Sequence, residues 1–211
     1  MTDTANAAQD WPPLGFTEIE ADEVVQSYKM ARVILEYGSG WSTVQAAKMP
    51  GKLVISVESD HDWLLRLTAV LDAANHPSPA ILHRVNIGQI GKWGRPVDDT
   101  AWRKFATYPL GVWSARYFRH PDVVLIDGRF RPACFGAVLL GMKAPVRVLF
   151  DDYVHRPVYH MVENFAKPTM LSGRMAVFNL SPTEFTPLQH QAIVHLFSQA
   201  SLADQIDKYV V

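Results

Sequence analysis

A carboxylate, two glycines one residue apart and a set of hydroxyls follow an apolar run in Val33-Ile34-Leu35-Glu36-Tyr37-Gly38-Ser39-Gly40-Trp41-Ser42-Thr43. This order suits a strand that turns sharply into a helix. Gly38 and Gly40 allow the bend and the close approach of a ligand. The amides that open the helix, with the carboxylate of Glu36 and the hydroxyls of Ser39, Ser42 and Thr43, are expected to contact it through hydrogen bonds. A second apolar run, Leu53-Val54-Ile55-Ser56-Val57, ends in Glu58 with Ser59 behind it, 20 residues after Gly38. An acid at that separation suits the two hydroxyls of a ribose. Both features fit a nucleoside-bearing cofactor lying on the tips of a parallel sheet.

Two further acids close apolar runs. Asp127 follows Val123-Val124-Leu125-Ile126, and Asp151-Asp152 follows Val146-Arg147-Val148-Leu149-Phe150. Neighbouring strand ends would bring these carboxylates together. Asp127 and Asp151 are the candidate catalytic acids, with Asp127 as a general base toward a substrate proton. The competing reading is that they cap helices or pair with Arg129, Arg131 or Arg156. The eight histidines form no tight ligand pair, and Cys134, the one cysteine, falls inside a helical stretch and reads as packing.

These residues need elements to hold them. Thr17 and Glu20 form a capping-box pattern for a helix reaching residue 30. Strands are expected over residues 32–37, 53–57, 80–87, 122–128 and 145–150. Helices are expected over 42–48, 62–74, 132–142 and 159–165. Residues 170–180 read as two strands turning at Ser172-Gly173. Thr186-Pro187 with Gln189 opens a last helix over 186–211, which would pack on the sheet or on a second subunit of a homodimer. Residues 1–15, broken by Pro12-Pro13 and Gly15, read as a loose arm. Alternating strands and helices imply a parallel sheet covered on both faces, with ligands beyond the strands' carboxyl ends. Gly38, Glu58, Gly88, Asp127 and Asp151 all fall there.

Residues 89–120 interrupt this alternation. They hold seven aromatic and six basic residues against two acids, Asp98 and Asp99. A long irregular insert beside a cofactor suits a lid or wall for an aromatic or anionic small molecule. An aromatic satellite core or a subunit contact would produce the same composition.

The bulk properties bound the rest. A chain of 211 residues, 48% hydrophobic with a net charge of −1, is expected to form one α/β domain. The balanced charge speaks against a nucleic-acid partner held by bulk electrostatics. No run is long enough to span a membrane. A lone cysteine and the absence of a signal-peptide pattern at the start point to the cytoplasm.

The segment Glu36 to Thr43 resembles the first motif of class I S-adenosylmethionine-dependent methyltransferases. Glu58 matches the acidic end of their second strand, Ile126-Asp127-Gly128 their fourth-strand motif in the small-molecule branch, and Phe150-Asp151-Asp152-Tyr153 the end of the fifth strand. More narrowly, the chain resembles methyltransferase-like bacterial proteins carrying Asp-Gly-Arg-Phe-Arg after the fourth strand. The resemblance implies a Rossmann-like fold with a mostly parallel seven-stranded sheet whose last strand runs antiparallel. It implies S-adenosylmethionine as cofactor, with Gly38-Ser39-Gly40 under its methionine part, Glu58 on its ribose, the backbone at Ile87-Gly88 beside its adenine, and Asp127 near its sulfonium and the substrate. The implied activity is methyl transfer to an oxygen or nitrogen of a small molecule. In the catechol-type branch, acids at similar strand ends hold a magnesium ion. Three positions depart from the pattern. Ser42 replaces a third glycine, Asn86-Ile87-Gly88 lacks the usual third-strand acid, and Arg129-Phe130-Arg131 replaces a histidine that often follows. That last change leaves open a protein that binds the cofactor without catalysis. A nicotinamide dinucleotide is a poorer fit, since its fingerprint wants a small residue where Thr43 stands.

Overall fold

The computed structural model describes residues 11–200, 202 and 203. Seven strands form one sheet: β1 (Val33–Tyr37), β2 (Leu53–Glu58), β3 (Ala80–Arg84), β4 (Val123–Ile126), β5 (Val146–Phe150), β6 (Met170–Ser172) and β7 (Met175–Leu180). Their order is β3-β2-β1-β4-β5-β7-β6. The first five run parallel, and β7 runs antiparallel to both β5 and β6. The expected seven-stranded, mostly parallel α/β sheet is therefore present.

Helices cover both faces because strand residues alternate sides. Ile34, Val54, Val123, Leu125 and Val177 pack on one face with Val24 and Tyr28 of α1 (Glu18–Met30) and Ala46 of α2 (Trp41–Lys48). Leu35, Tyr37, Ile55, Val124 and Phe150 pack on the other with Phe135 and Val138 of α6 (Arg131–Gly141) and Ile193 of α7 (Pro187–Leu196). Helix α3 (His61–Asp72) lies beside β3, with Asp60 accepting from Trp63 N at 3.0 Å as its cap.

The insert is more ordered than its sequence suggests. It contains two one-turn helices, α4 (Trp102–Phe105) and α5 (Thr107–Leu110), flanked by 3₁₀ turns. Its second half supplies core: Phe105, Tyr108 and Val112 are buried, and Trp113 packs beside them. The satellite-core reading thus describes the second half of the segment, while Trp93, Arg95 and Pro96 of the first half line a cavity.

Three boundaries differ from expectation. Strand β3 stops at Arg84, although Val85 N still donates to Glu58 O at 2.8 Å and Ile87 stays buried. The stretch read as the helix 159–165 is a 3₁₀ helix over Pro157–Asn164. The last helix ends at Leu196, and Leu196 with Phe197 turns onto Gly136 of α6, where a Cβ would meet Phe197 at 3.1 Å. Most of the remaining expected helix lies outside the described residues. No helix among the described residues is long and apolar enough to cross a membrane.

Candidate functional site

The ladder hydrogen bonds continue past the strands and align their ends. Gly38 N donates to Val57 O at 2.8 Å, Asp127 N to Tyr37 O at 2.9 Å and Asp151 N to Ile126 O at 3.0 Å. Gly38, Asp127 and Asp151 therefore stand side by side above the sheet. Two adjoining cavities open there, of about 340 Å³ and about 640 Å³, and both are lined by Gly15, Trp93, Asp127, Gly128 and Arg129.

The smaller cavity lies over the β1–α2 loop. Gly38, Ser39, Gly40, Ser42 and Glu58 line it, joined by Asp60, Trp63, Pro13, Gly15 and Phe16. Glu58 Oε1 accepts from Ser59 N at 2.6 Å and Asp60 N at 2.9 Å, and Oε2 from Ser39 N at 3.3 Å. Its carboxylate is thus oriented by backbone before any ligand arrives. Gly38 takes φ +99°, and a Cβ there would lie 2.8 Å from Gly128 N. Only glycine permits that conformation and that contact.

Glu36 and Thr43 do not reach this cavity. Glu36 is fully buried, on the same side of β1 as Ile34, and accepts from Tyr28 Oη at 2.7 Å and Thr43 Oγ1 at 2.5 Å. Thr43 Oγ1 in turn accepts from Gly40 N at 3.0 Å. Burial pushes the Glu36 carboxyl above its ordinary range, against the pull of these hydrogen bonds. Both residues shape the loop from beneath. Ser59, Ile87 and Gly88 also stay off the lining. Ala101 occupies the space beside Gly88, where a Cβ would overlap Ala101 Cβ, and Gly94 of the insert stands over Ser59 and Glu58. The insert folds back across those strand ends.

Within residues 11–15, expected as part of a loose arm, Trp11 and Pro12 pack here, while residues 13–15 stay exposed. Trp11 meets Trp63 at a tilt of 57° with ring centroids 4.8 Å apart, the Arg66 guanidinium carbon lies 4.4 Å from the Trp11 ring centroid, and the buried Phe16 meets Trp41 at 6.2 Å. Residues 1–10 of that expected arm lie outside the described residues. Two proline rings cannot join a helix or a central strand, but aromatic surface on α2 and α3 gives the segment a place to bury.

The larger cavity is ionic. Arg131, buried, donates from Nε to Gly128 O at 3.1 Å, from Nη1 to Asp151 O at 2.6 Å and from Nη2 to Asp127 Oδ1 at 2.9 Å. Arg174 Nε and Nη2 each reach an Asp151 oxygen at 3.1 Å. Asp152 meets Arg131 at 3.2 Å, Arg156 at 3.0 Å and Arg174 at 3.0 Å. Burial pushes the Asp127 carboxyl well up, with Arg131 pulling it down and Asp151 adding to the rise. Asp151 is almost wholly enclosed by its arginine partners, which marks it as the anchor of the network; Asp127 remains partly open to both cavities.

The donor set does not fit the magnesium of the catechol-type branch. All three aspartates already face guanidinium groups, and a divalent cation among them would sit against Arg131. No group of three or more His, Cys, Asp or Glu able to hold a metal occurs among the described residues.

Sequence reasoning missed Trp93, Arg95 and Arg174 as site residues. The β5–β7 pairing, Phe150 opposite Ala176, is what carries Arg174 to Asp151. Three non-glycine residues of the described chain have left-handed backbone, Trp93 (φ 62°), Phe130 (51°) and Asp152 (58°). All three line the larger cavity. Such conformations cost energy and concentrate at ligand sites.

Comparison with known proteins agrees with this architecture. No family model matches the chain, and no curated protein is similar to it in sequence. Among solved structures, a methyltransferase-like protein (spo2022) from Silicibacter pomeroyi DSS-3 is 43% identical, with a TM-score of 0.84 over 90% of this chain and 98% of that one. An O-methyltransferase from Bacillus cereus, solved in complex with SAH, is 17% identical, with a TM-score of 0.50 over 92% of this chain and 73% of that one.

Proposed function

The chain belongs to the methyltransferase-like protein family, and on that premise we propose that it moves a methyl group from S-adenosylmethionine to an oxygen or nitrogen of a small molecule. The observation that carries this reading is the meeting of two cavities at Asp127-Gly128-Arg129, one over the glycine loop and Glu58, the other lined by polar side chains. The SAH held by the Bacillus cereus relative supports the choice of cofactor.

S-adenosylmethionine, when bound, supplies a methyl group on a positively charged sulfur. The loop Gly38-Ser39-Gly40-Trp41-Ser42 would cradle its methionine part, and Glu58 would accept from its ribose hydroxyls. The backbone at Ile87-Gly88 would border the adenine beside Ala101, with Ser59 next to Glu58. Asp127, exposed to both cavities, would take the proton of the acceptor as it attacks. The remaining contribution is alignment, which converts a bimolecular encounter into an oriented one.

A second reading has its own support. Arg131 ties down one oxygen of Asp127. A protein built to sense the cofactor rather than consume it would tolerate that clamp.

Calorimetric titration with S-adenosylmethionine and S-adenosylhomocysteine, repeated on Glu58→Ala, tests the cofactor. Micromolar binding lost in the variant supports the site. Binding of neither compound, or binding of NAD instead, overturns it. Formation of S-adenosylhomocysteine with an acceptor then separates enzyme from sensor.

A further inference from the structure

The larger cavity holds more positive charge than its own acids neutralise. Five arginines and three aspartates line it. Arg131, Arg156 and Arg174 account for every ion pair made by Asp127, Asp151 and Asp152. Arg95 and Arg129 line the same space and form no ion pair among the described residues.

Arg95 is the more telling of the two. It comes from the insert, is 7% exposed, and its Nε is buried without a hydrogen-bond partner among the described residues. A buried, unpartnered guanidinium donor is rare, because water's hydrogen bonds are given up with no replacement. Burial lowers its pKa, and Arg129 is the neighbouring charge that adds most to that effect. The two cations repel each other, and an anion between them would relieve both the repulsion and the missing acceptor. Trp93 and Tyr159 add aromatic surface to the same wall.

We propose that Arg95 and Arg129 form a receptor for an oxyanion, carboxylate or phosphoryl, carried by the methyl acceptor. Guanidinium forks match both groups and give short, charge-assisted hydrogen bonds. Anchored there, the acceptor would extend along the wall toward Asp127, the residue shared with the cofactor cavity. This assignment rests on the methyl-transfer reading for the identity of the ligand, but not for the existence of the anion site.

Binding of benzoate, phenyl phosphate and neutral benzyl alcohol to the full chain, with and without saturating S-adenosylhomocysteine, tests it. The two anions distinguish carboxylate from phosphoryl. At least one anion should bind, with affinity falling as salt rises, and about tenfold or more should be lost in Arg95→Gln and in Arg129→Gln. Melting temperature, measured on both variants, shows that the fold survives, and S-adenosylhomocysteine affinity of Arg95→Gln, whose residue lies outside the cofactor cavity, shows that the cofactor site does. Should one variant fail to fold, the other and the salt dependence decide. Equal binding of benzyl alcohol, unaltered anion affinity in the folded variants, or no anion binding at all overturns the receptor. Anion binding by a protein that takes no S-adenosylhomocysteine keeps the receptor and removes the methyl-transfer reading.

Discussion

Arg131 Nη2 lies 2.9 Å from Asp127 Oδ1, while Nη1 of the same side chain donates to the carbonyl of Asp151 at 2.6 Å. One guanidinium therefore bridges the ends of β4 and β5 and sets the height of the candidate base above the sheet. Its position four residues after Asp127, at the first turn of α6, makes the contact possible. Only arginine has enough directed donors for the task.

Replacing that fork should be expensive. Arg131→Met leaves Asp151 and Asp127 without their shared partner, and breaking a buried pair in this way costs about 3–5 kcal/mol. Arg131→Lys keeps the charge but not the geometry and should recover only part of the loss. Urea denaturation compares the three proteins; midpoints within error of wild type would mean that Arg174 and Arg156 carry the network alone.

Gly128 is where the two cavities meet, and it has no room for a side chain. A Cβ would overlap the Tyr108 hydroxyl and lie 2.7 Å from Gly38 N and 2.8 Å from the Tyr37 carbonyl carbon. Gly128→Ala should destabilise by at least about 1–3 kcal/mol, the usual range for overpacking. Adding Tyr108→Phe removes the hydroxyl but leaves the backbone of the β1 loop in place. The double variant should therefore stay destabilised in thermal melts, and full rescue would show that the loop can move aside.

Glu20 joins the start of α1 to the β6–β7 hairpin. Its carboxylate accepts from Thr17 N and Arg174 N, each at 2.7 Å. Burial works to raise its pKa, but these two backbone hydrogen bonds, with the Thr17 hydroxyl and the Arg174 charge, together bring the value below the ordinary 4.5. A depressed carboxylate stabilises the fold above its unfolded pKa, and that stability disappears as pH falls through the folded value. Glu20→Gln should lose about 1.5–3 kcal/mol at neutral pH, the range for hydrogen bonds to a charged group. The difference from wild type should narrow below pH 4.5. A gap that stays constant down to acid unfolding would assign the effect to shape rather than charge.

Much of this arrangement was legible in the sequence, and the pattern of failure is physical. Glycine spacing and strand-end acids pointed to Gly38, Ser39, Gly40, Ser42, Glu58 and Asp127, because local backbone chemistry fixes such turns. Gly173, at φ +58°, made the β6–β7 turn equally readable. Glu36 shows the limit of that signal. Its type suggested a ligand contact, while alternation along β1 puts it on the face of Ile34, beneath α1. Arg174 was invisible because its partner lies 23 residues earlier and meets it only through β5–β7 pairing. Arg95 and Trp93 lay in a stretch without period, where composition could suggest an anionic or aromatic ligand but could not separate the wall residues from the core residues Phe105 and Tyr108.

Asp127 offers the sharpest chemical test. Burial holds its carboxyl well above the usual range, Arg131 opposes that rise, and Asp151 reinforces it. A general base works only when deprotonated, so the methyl-transfer rate should climb with pH through the raised pKa and then level off. Asp127→Asn keeps the size of the side chain but removes the base. Turnover should fall about 10²–10⁴-fold, the range for general-base catalysis. S-adenosylhomocysteine affinity should change little, because Glu58 and the Gly38 loop remain. The rising limb of the pH profile should vanish in the variant. Wild-type turnover in Asp127→Asn would leave Asp127 a partner of Arg131 and nothing more, and would shift the search for a base to the acceptor's own acidity.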